Sequence, residues 1–141
     1  MKILKFGGSS IASKVSINNV IDIVKNETKC VVIVSAISGV TNLLIACMKK
    51  AKEGDLKFKL EIDEIFKKHF DIINIFFSKK NQDELICFTK NKLQEIEKIL
   101  KGISLVKEIT PNIYSKIIVT GEILSSRLIN EIFINKKLNS K

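Results

Sequence analysis

The chain has 141 residues, 45% of them hydrophobic, and its 24 lysines and arginines against 15 acids give a formal net charge of +9. That length and apolar content suit one folded domain with a real core and exclude a disordered chain. No apolar stretch is long enough to span a bilayer, and the N-terminus lacks the segment and cleavage site of a signal peptide. The positive charge does not indicate nucleic acid, because the lysines are spread along the chain and Arg127 is the single arginine.

In chain order, Lys2 to Phe6 reads as a first strand, followed by Gly7-Gly8-Ser9-Ser10. A strand that ends in a lysine and two glycines and then feeds a helix can bind an anion. The glycines let backbone N–H groups approach a phosphate, Lys5 adds a full charge, and the serines add short donors. The pattern is neither a Walker A loop nor a dinucleotide fingerprint. A helix is predicted over Ser16 to Lys25, with Val20, Ile23 and Val24 on one face. The β-branched run Cys30 to Val34 suits a buried parallel strand, read over about Lys29 to Ser35. It leads into the small-residue turn Ser35-Ala36-Ile37-Ser38-Gly39, which opens a helix over Val40 to Lys52 that stops near Gly54. Short strands separated by helices favour a parallel sheet with helices packed on it.

From 58 to 77 the spacing of Leu60, Ile62, Ile65, Phe66, Phe70, Ile73 and Phe77 predicts a long helix. After a polar break at Ser78 to Gln82, Leu85, Ile86, Leu93, Ile96 and Leu100 mark a second, over Asp83 to Leu100, with Gly102 placed to end it. The two form a helical hairpin, about 58–101, whose role is packing. Thr110-Pro111 is an N-cap followed by proline at the first helical position. The isoleucine-rich segment Asn112 to Thr120 is therefore read as helix, with Gly121 as a break or kink before a last helix over Glu122 to Asn135. The tail Lys136 to Lys141 is expected to fray. Cys30, Cys47 and Cys87 are widely spaced, lie beside apolar residues and form no Cys-x-x-Cys; they read as buried small hydrophobes in a reducing compartment. His69 reads as structural, at the surface or partly buried, rather than catalytic.

Three segments, taken together and in this order, carry a family resemblance: Lys5-Phe6-Gly7-Gly8-Ser9-Ser10, then Ser35-Ala36-Ile37-Ser38-Gly39-Val40-Thr41-Asn42, then Thr120-Gly121-Glu122-Ile123-Leu124-Ser125-Ser126. The chain resembles the aspartokinases of the amino-acid kinase superfamily, with Ser9 in place of the commoner threonine. Leu100-Lys101-Gly102-Ile103-Ser104-Leu105, before Pro111, is most similar to the aspartokinases fused to homoserine dehydrogenase. The resemblance covers the whole chain, but only the first part of the family's catalytic domain, so residues 1–141 are expected to be an incomplete domain.

The resemblance implies an α/β fold, the N-terminal portion of the three-layer αβα amino-acid kinase (carbamate kinase-like) fold, with a parallel sheet core and the hairpin inserted within it. The implied reaction is ATP-dependent phosphorylation of the β-carboxylate of L-aspartate, the first step of lysine, threonine and methionine biosynthesis. ATP with Mg2+ would be the cofactor, with no metal ligands identifiable in this stretch. The implied setting is cytoplasmic, with a homo-oligomer in the intact enzyme and no nucleic-acid or membrane partner. Lys5 would be catalytic, neutralising charge between the two anionic reactants, with Lys5, Gly7, Gly8 and Ser9 on the ATP phosphates. Ser10, Thr41 and Glu122 would bind substrate, Thr41 contacting aspartate and Glu122 pairing with its α-ammonium group. Ser38, Ser125 and Ser126 are expected to pack or cap.

The adenine pocket, the rest of the phosphate site and the arginine that the family places on aspartate's carboxylate are not among these residues. The polypeptide alone is therefore expected to show little or no kinase activity, and an exposed sheet edge or apolar patch. Two other readings stay open: an amino-acid kinase acting on glutamate, N-acetylglutamate or a nucleotide, and a non-catalytic binding or assembly module that retains the fold.

Overall fold

The computed structural model describes residues 1–138. Strand β1 (Lys2–Phe6) pairs in parallel with β2 (Cys30–Val34), in register from Lys2↔Cys30 to Phe6↔Val34. Parallel strands need a crossover, here a 3-10 turn (Gly8–Ile11) and helix α1 (Lys14–Lys25). The helix starts two residues before the sequence expectation because Ser13 and Ser16 form a capping box: Ser13 Oγ accepts from the Ser16 N–H at 3.2 Å and Ser16 Oγ from the Ser13 N–H at 3.1 Å.

The run in β2 is not buried on both faces as its composition predicts. Val34 is buried and Val32 half-buried, whereas Ile3, Val31 and Ile33 are 67%, 43% and 45% exposed. The period-two alternation turns these three to the outer face, which no element covers among the described residues. An open groove of about 890 Å³, lined in part by Val24, Cys30, Val32, Phe88, Ile129 and Phe133, runs beside β2. The expected apolar patch is thus present.

Helix α2 (Val40–Glu53) ends at Gly54, whose φ of +80° supplies the left-handed cap. Helices α3 (Lys59–Phe76) and α4 (Asp83–Val106) pack on each other and on α2, and α5 (Pro111–Asn135) packs on α2, α3, α4 and β2. Leu44, Ile65, Ile73, Leu100, Ile117 and Ile132 lie at the centre, each at most 1% exposed. Burial of one such side chain stabilises by about 1.5–3 kcal/mol.

Several expectations are corrected. Gly102 does not end α4; Ile103 beyond it is buried and holds one more turn, and Lys107 caps the helix with a φ of 57°. Gly121 does not break the chain into two helices, since α5 runs continuously from Pro111 to Asn135. In α3 Leu60 is exposed at 66%, and the buried stripe is Ile62, Ile65, His69, Ile72, Ile73 and Phe76. His69 therefore sits in the core, where Nδ1 donates to the Ile65 carbonyl at 2.8 Å. Of the cysteines only Cys47 is buried; Cys30 is half-buried and Cys87 exposed. The first tail residues do not fray: Lys137 takes a φ of 60°, and the Leu138 and Lys137 N–H groups bond the carbonyls of Phe133 and Ile134. This is a Schellman closure. The tail beyond Leu138 lies outside the described residues.

Candidate active site

The turn from Ser35 to Gly39, between β2 and α2, gathers the three sequence motifs. From the first motif, Gly8 lies directly against it. A Cβ at residue 8 would collide with the Ala36 carbonyl oxygen and lie 3.0 Å from the Ser38 nitrogen. The Ser38 N–H instead donates to the Gly8 carbonyl at 3.3 Å. Gly7 differs, since a Cβ there would meet nothing within 4 Å. The two glycines thus have separate tasks: Gly8 permits the two turns to touch, and Gly7 faces open space that a ligand can enter.

From the third motif, Gly121 brings α5 onto the same turn. A Cβ there would lie 2.7 Å from Ala36 Cβ and 3.4 Å from Val40 Cγ1. One turn on, the fully buried Ser125 donates its hydroxyl to the Ser35 carbonyl at 2.7 Å. Ser125 therefore does more than cap its own helix: it pins the turn to α5. Glu122 sits between these contacts, half-buried, and its Oε2 is enclosed without a hydrogen-bond partner. A buried carboxylate oxygen left unpaired is costly, and a ligand's ammonium group would relieve it.

Gly39, at a φ of +86°, turns the chain into α2 and offers no side-chain cap. The Val40 N–H bonds the Ile37 carbonyl and the Leu43 N–H the Gly39 carbonyl, leaving the Thr41 and Asn42 N–H groups without an acceptor among the described residues. Free N–H groups and the helix dipole favour an anion there, with the Thr41 hydroxyl beside them. After β1, in contrast, the expected helix N-terminus is a four-residue 3-10 turn in which the Ser10 N–H is bonded to the Gly7 carbonyl at 3.0 Å. At the N-terminus of α1 the Ser16 N–H is taken up by Ser13 Oγ, and the cation at the end of β1 is Lys5. Lys5 is exposed on the outer face of β1, opposite Ile33, with Ser9 exposed and Ser10 half-buried beyond the glycines.

One residue near the turn carried no sequence signal. Lys68 of α3 is half-buried, and its Cε and Nζ both lie 3.7 Å from where a Cβ of Gly39 would be. Among the described residues no cluster of three or more His, Cys, Asp or Glu side chains is placed to hold a metal ion. The groove beside β2 is lined by Ser126 of the third motif but by none of Lys5, Gly7, Gly8, Ser9, Ser10, Thr41 and Glu122.

The whole chain, residues 1–141, matches the amino acid kinase family. It belongs to that family. Among the members of that family, this chain is similar to aspartokinase 1 of Arabidopsis thaliana, at 33% identity over 89% of this chain and 22% of that one. A bifunctional aspartokinase/homoserine dehydrogenase of Buchnera aphidicola is 31% identical over 99% of this chain and 18% of its own length. The lysine-sensitive aspartokinase 3 of Escherichia coli is 31% identical over 97% and 29%. The crystal structure of E. coli aspartokinase III in complex with aspartate and ADP superimposes with a TM-score of 0.82 at 26% identity, covering 99% of this chain and 30% of that one. The expected fold class is therefore the observed one. The chain spans less than a third of each of these relatives, which include both single-function and bifunctional aspartokinases.

Proposed function

We propose that this chain supplies the phosphoryl- and amino-acid-binding part of an aspartate kinase, which transfers the γ-phosphoryl of ATP to the β-carboxylate of L-aspartate. The observation that carries the reading is the convergence of Gly8, Gly121 and Ser125 on the turn that leads into Thr41, with Glu122 left unpaired beside it. Phosphoryl transfer needs positioning and charge neutralisation more than a covalent nucleophile. In this reading Lys5 screens the repulsion between carboxylate and polyphosphate, and the open side of Gly7 admits the phosphates with Ser9 alongside. Thr41 and the free N–H groups of α2 hold a carboxylate, Glu122 holds the α-ammonium group, and Ser10 borders the substrate. Mg2+ would arrive with ATP and neutralise phosphate charge, and it is assigned no ligand from this chain. The setting that goes with the reading is the cytoplasm, in lysine, threonine and methionine synthesis, within a homo-oligomeric intact enzyme.

The experiment is a chimera in which residues 1–141 replace the matching stretch of E. coli aspartokinase 3. Hydroxylamine-trapped aspartyl phosphate is expected from the chimera, and a loss of about 100-fold or more in kcat on Lys5→Met. A folded chimera without activity, or one indifferent to Lys5→Met, overturns the assignment and favours the non-catalytic module.

A further inference from the structure

The site holds a cation with no counterpart. Lys68 reaches from α3 to Gly39, yet it forms no ion pair or hydrogen bond among the described residues. Its Cε and Nζ lie against Gly39, at the start of α2. The first turn of α2 carries partial positive charge, and the Thr41 and Asn42 N–H groups beside it have no acceptor. A lysine that only covered apolar surface with its stem would send its ammonium group to water, away from such an end. On α5, against the same turn, Glu122 keeps Oε2 buried and unpaired. Two opposite charges gathered on one turn, and not joined to each other, match a zwitterion: an ammonium group at Glu122 and a carboxylate at Lys68.

We propose that Lys68 is a further substrate-binding residue, holding a carboxylate of an anionic amino acid at the start of α2. The proposal rests on the aspartate kinase reading for the identity of that amino acid, and on the geometry alone for the charge of the group bound.

The test is titration of the 15N-labelled chain with L-aspartate, followed at the Thr41 and Asn42 amides, for wild type, Lys68→Gln and Lys68→Arg. Saturable shifts are expected in the wild type. Affinity should fall by roughly tenfold or more in Lys68→Gln, the usual effect of losing one charge-assisted hydrogen bond, while Lys68→Arg retains most of it. Dispersed spectra report that each variant is folded. Equal affinity in wild type and Lys68→Gln overturns the proposal, and so does a wild type whose two amides do not respond. Inorganic phosphate moving these amides at lower concentration than aspartate also overturns it, by assigning the cation to a phosphoryl group. Lys68-dependent aspartate binding beside an inactive chimera upholds this inference and defeats the kinase reading; the reverse result separates them the other way.

Discussion

Alanine at Gly121 and at Gly102 makes the same chemical change in two helix interiors, and the surroundings predict opposite signs. Replacing a mid-helix glycine with alanine stabilises by about 0.5–1 kcal/mol when nothing else changes, because the unfolded chain loses freedom. At Gly102 the new methyl meets nothing within 4 Å. The full gain is expected there, a rise in Tm of about 3 °C. At Gly121 the methyl would lie 2.7 Å from Ala36 Cβ, 3.4 Å from Val40 Cγ1 and 3.6 Å from Leu44 Cδ1. Carbon atoms rest about 3.5–4.0 Å apart, so α5 or the turn must retreat by about 1 Å. Overpacking of that kind costs about 1–3 kcal/mol, which leaves Gly121→Ala destabilised by about 0–2 kcal/mol after the propensity gain. Urea unfolding of both variants, with the slope m held as a check on two-state behaviour, measures the difference. If Gly121→Ala is as stabilising as Gly102→Ala, then α5 does not press on the Ser35 to Gly39 turn, and the assembly of the site described above is wrong.

Ser125→Ala removes the 2.7 Å bond to the Ser35 carbonyl and is expected to cost about 1–2 kcal/mol, read as a lower urea midpoint; an unchanged midpoint refutes the pinning role. Burial holds the His69 pKa below its ordinary value, so the folded ring stays neutral where the unfolded chain takes up a proton. Stability is then full above about pH 6.5 and declines as pH falls below it, and His69→Asn should flatten that decline; equal wild-type unfolding midpoints on both sides of this pH would count against it. The Cys47 thiol is pushed up to about 12, chiefly by burial and further by Glu61, whereas Cys87 is exposed. Alkylation followed by mass spectrometry should modify Cys87 first, and Cys47 only on unfolding; early labelling of Cys47 would contradict its burial.

The strand–turn–helix order and all three motifs were legible because each is local: an apolar run, a glycine, a cap. Thr110 and Pro111 announced α5 correctly for the same reason, with the Ile113 N–H bonded to Thr110 Oγ1 at 3.3 Å. What glycines do at a distance was not legible. Gly121 looks like a helix breaker in sequence, and only the neighbouring Ala36 shows that it is a contact point. Gly102 failed as a stop because Ile103 offers burial beyond it. The face of α3 is not legible from its apolar residues alone, because the packing puts His69 inside and Leu60 outside. Lys68 gave no signal at all, being the second of two adjacent lysines on a charged helix, far along the chain from the turn it meets.

The bond from Ser125 to Ser35 joins positions 90 residues apart. During synthesis β1, α1 and β2 emerge long before the helix that fastens their turn, so the site cannot exist until most of the chain has been made. Loop-closure entropy grows only slowly with such a separation, but contacts of this range form late. A partly folded chain with its first strands paired still lacks Glu122 at the turn, and on the proposed reading has no place for an ammonium group. On that reading, ligand affinity would double as a check that α5 has docked on the turn.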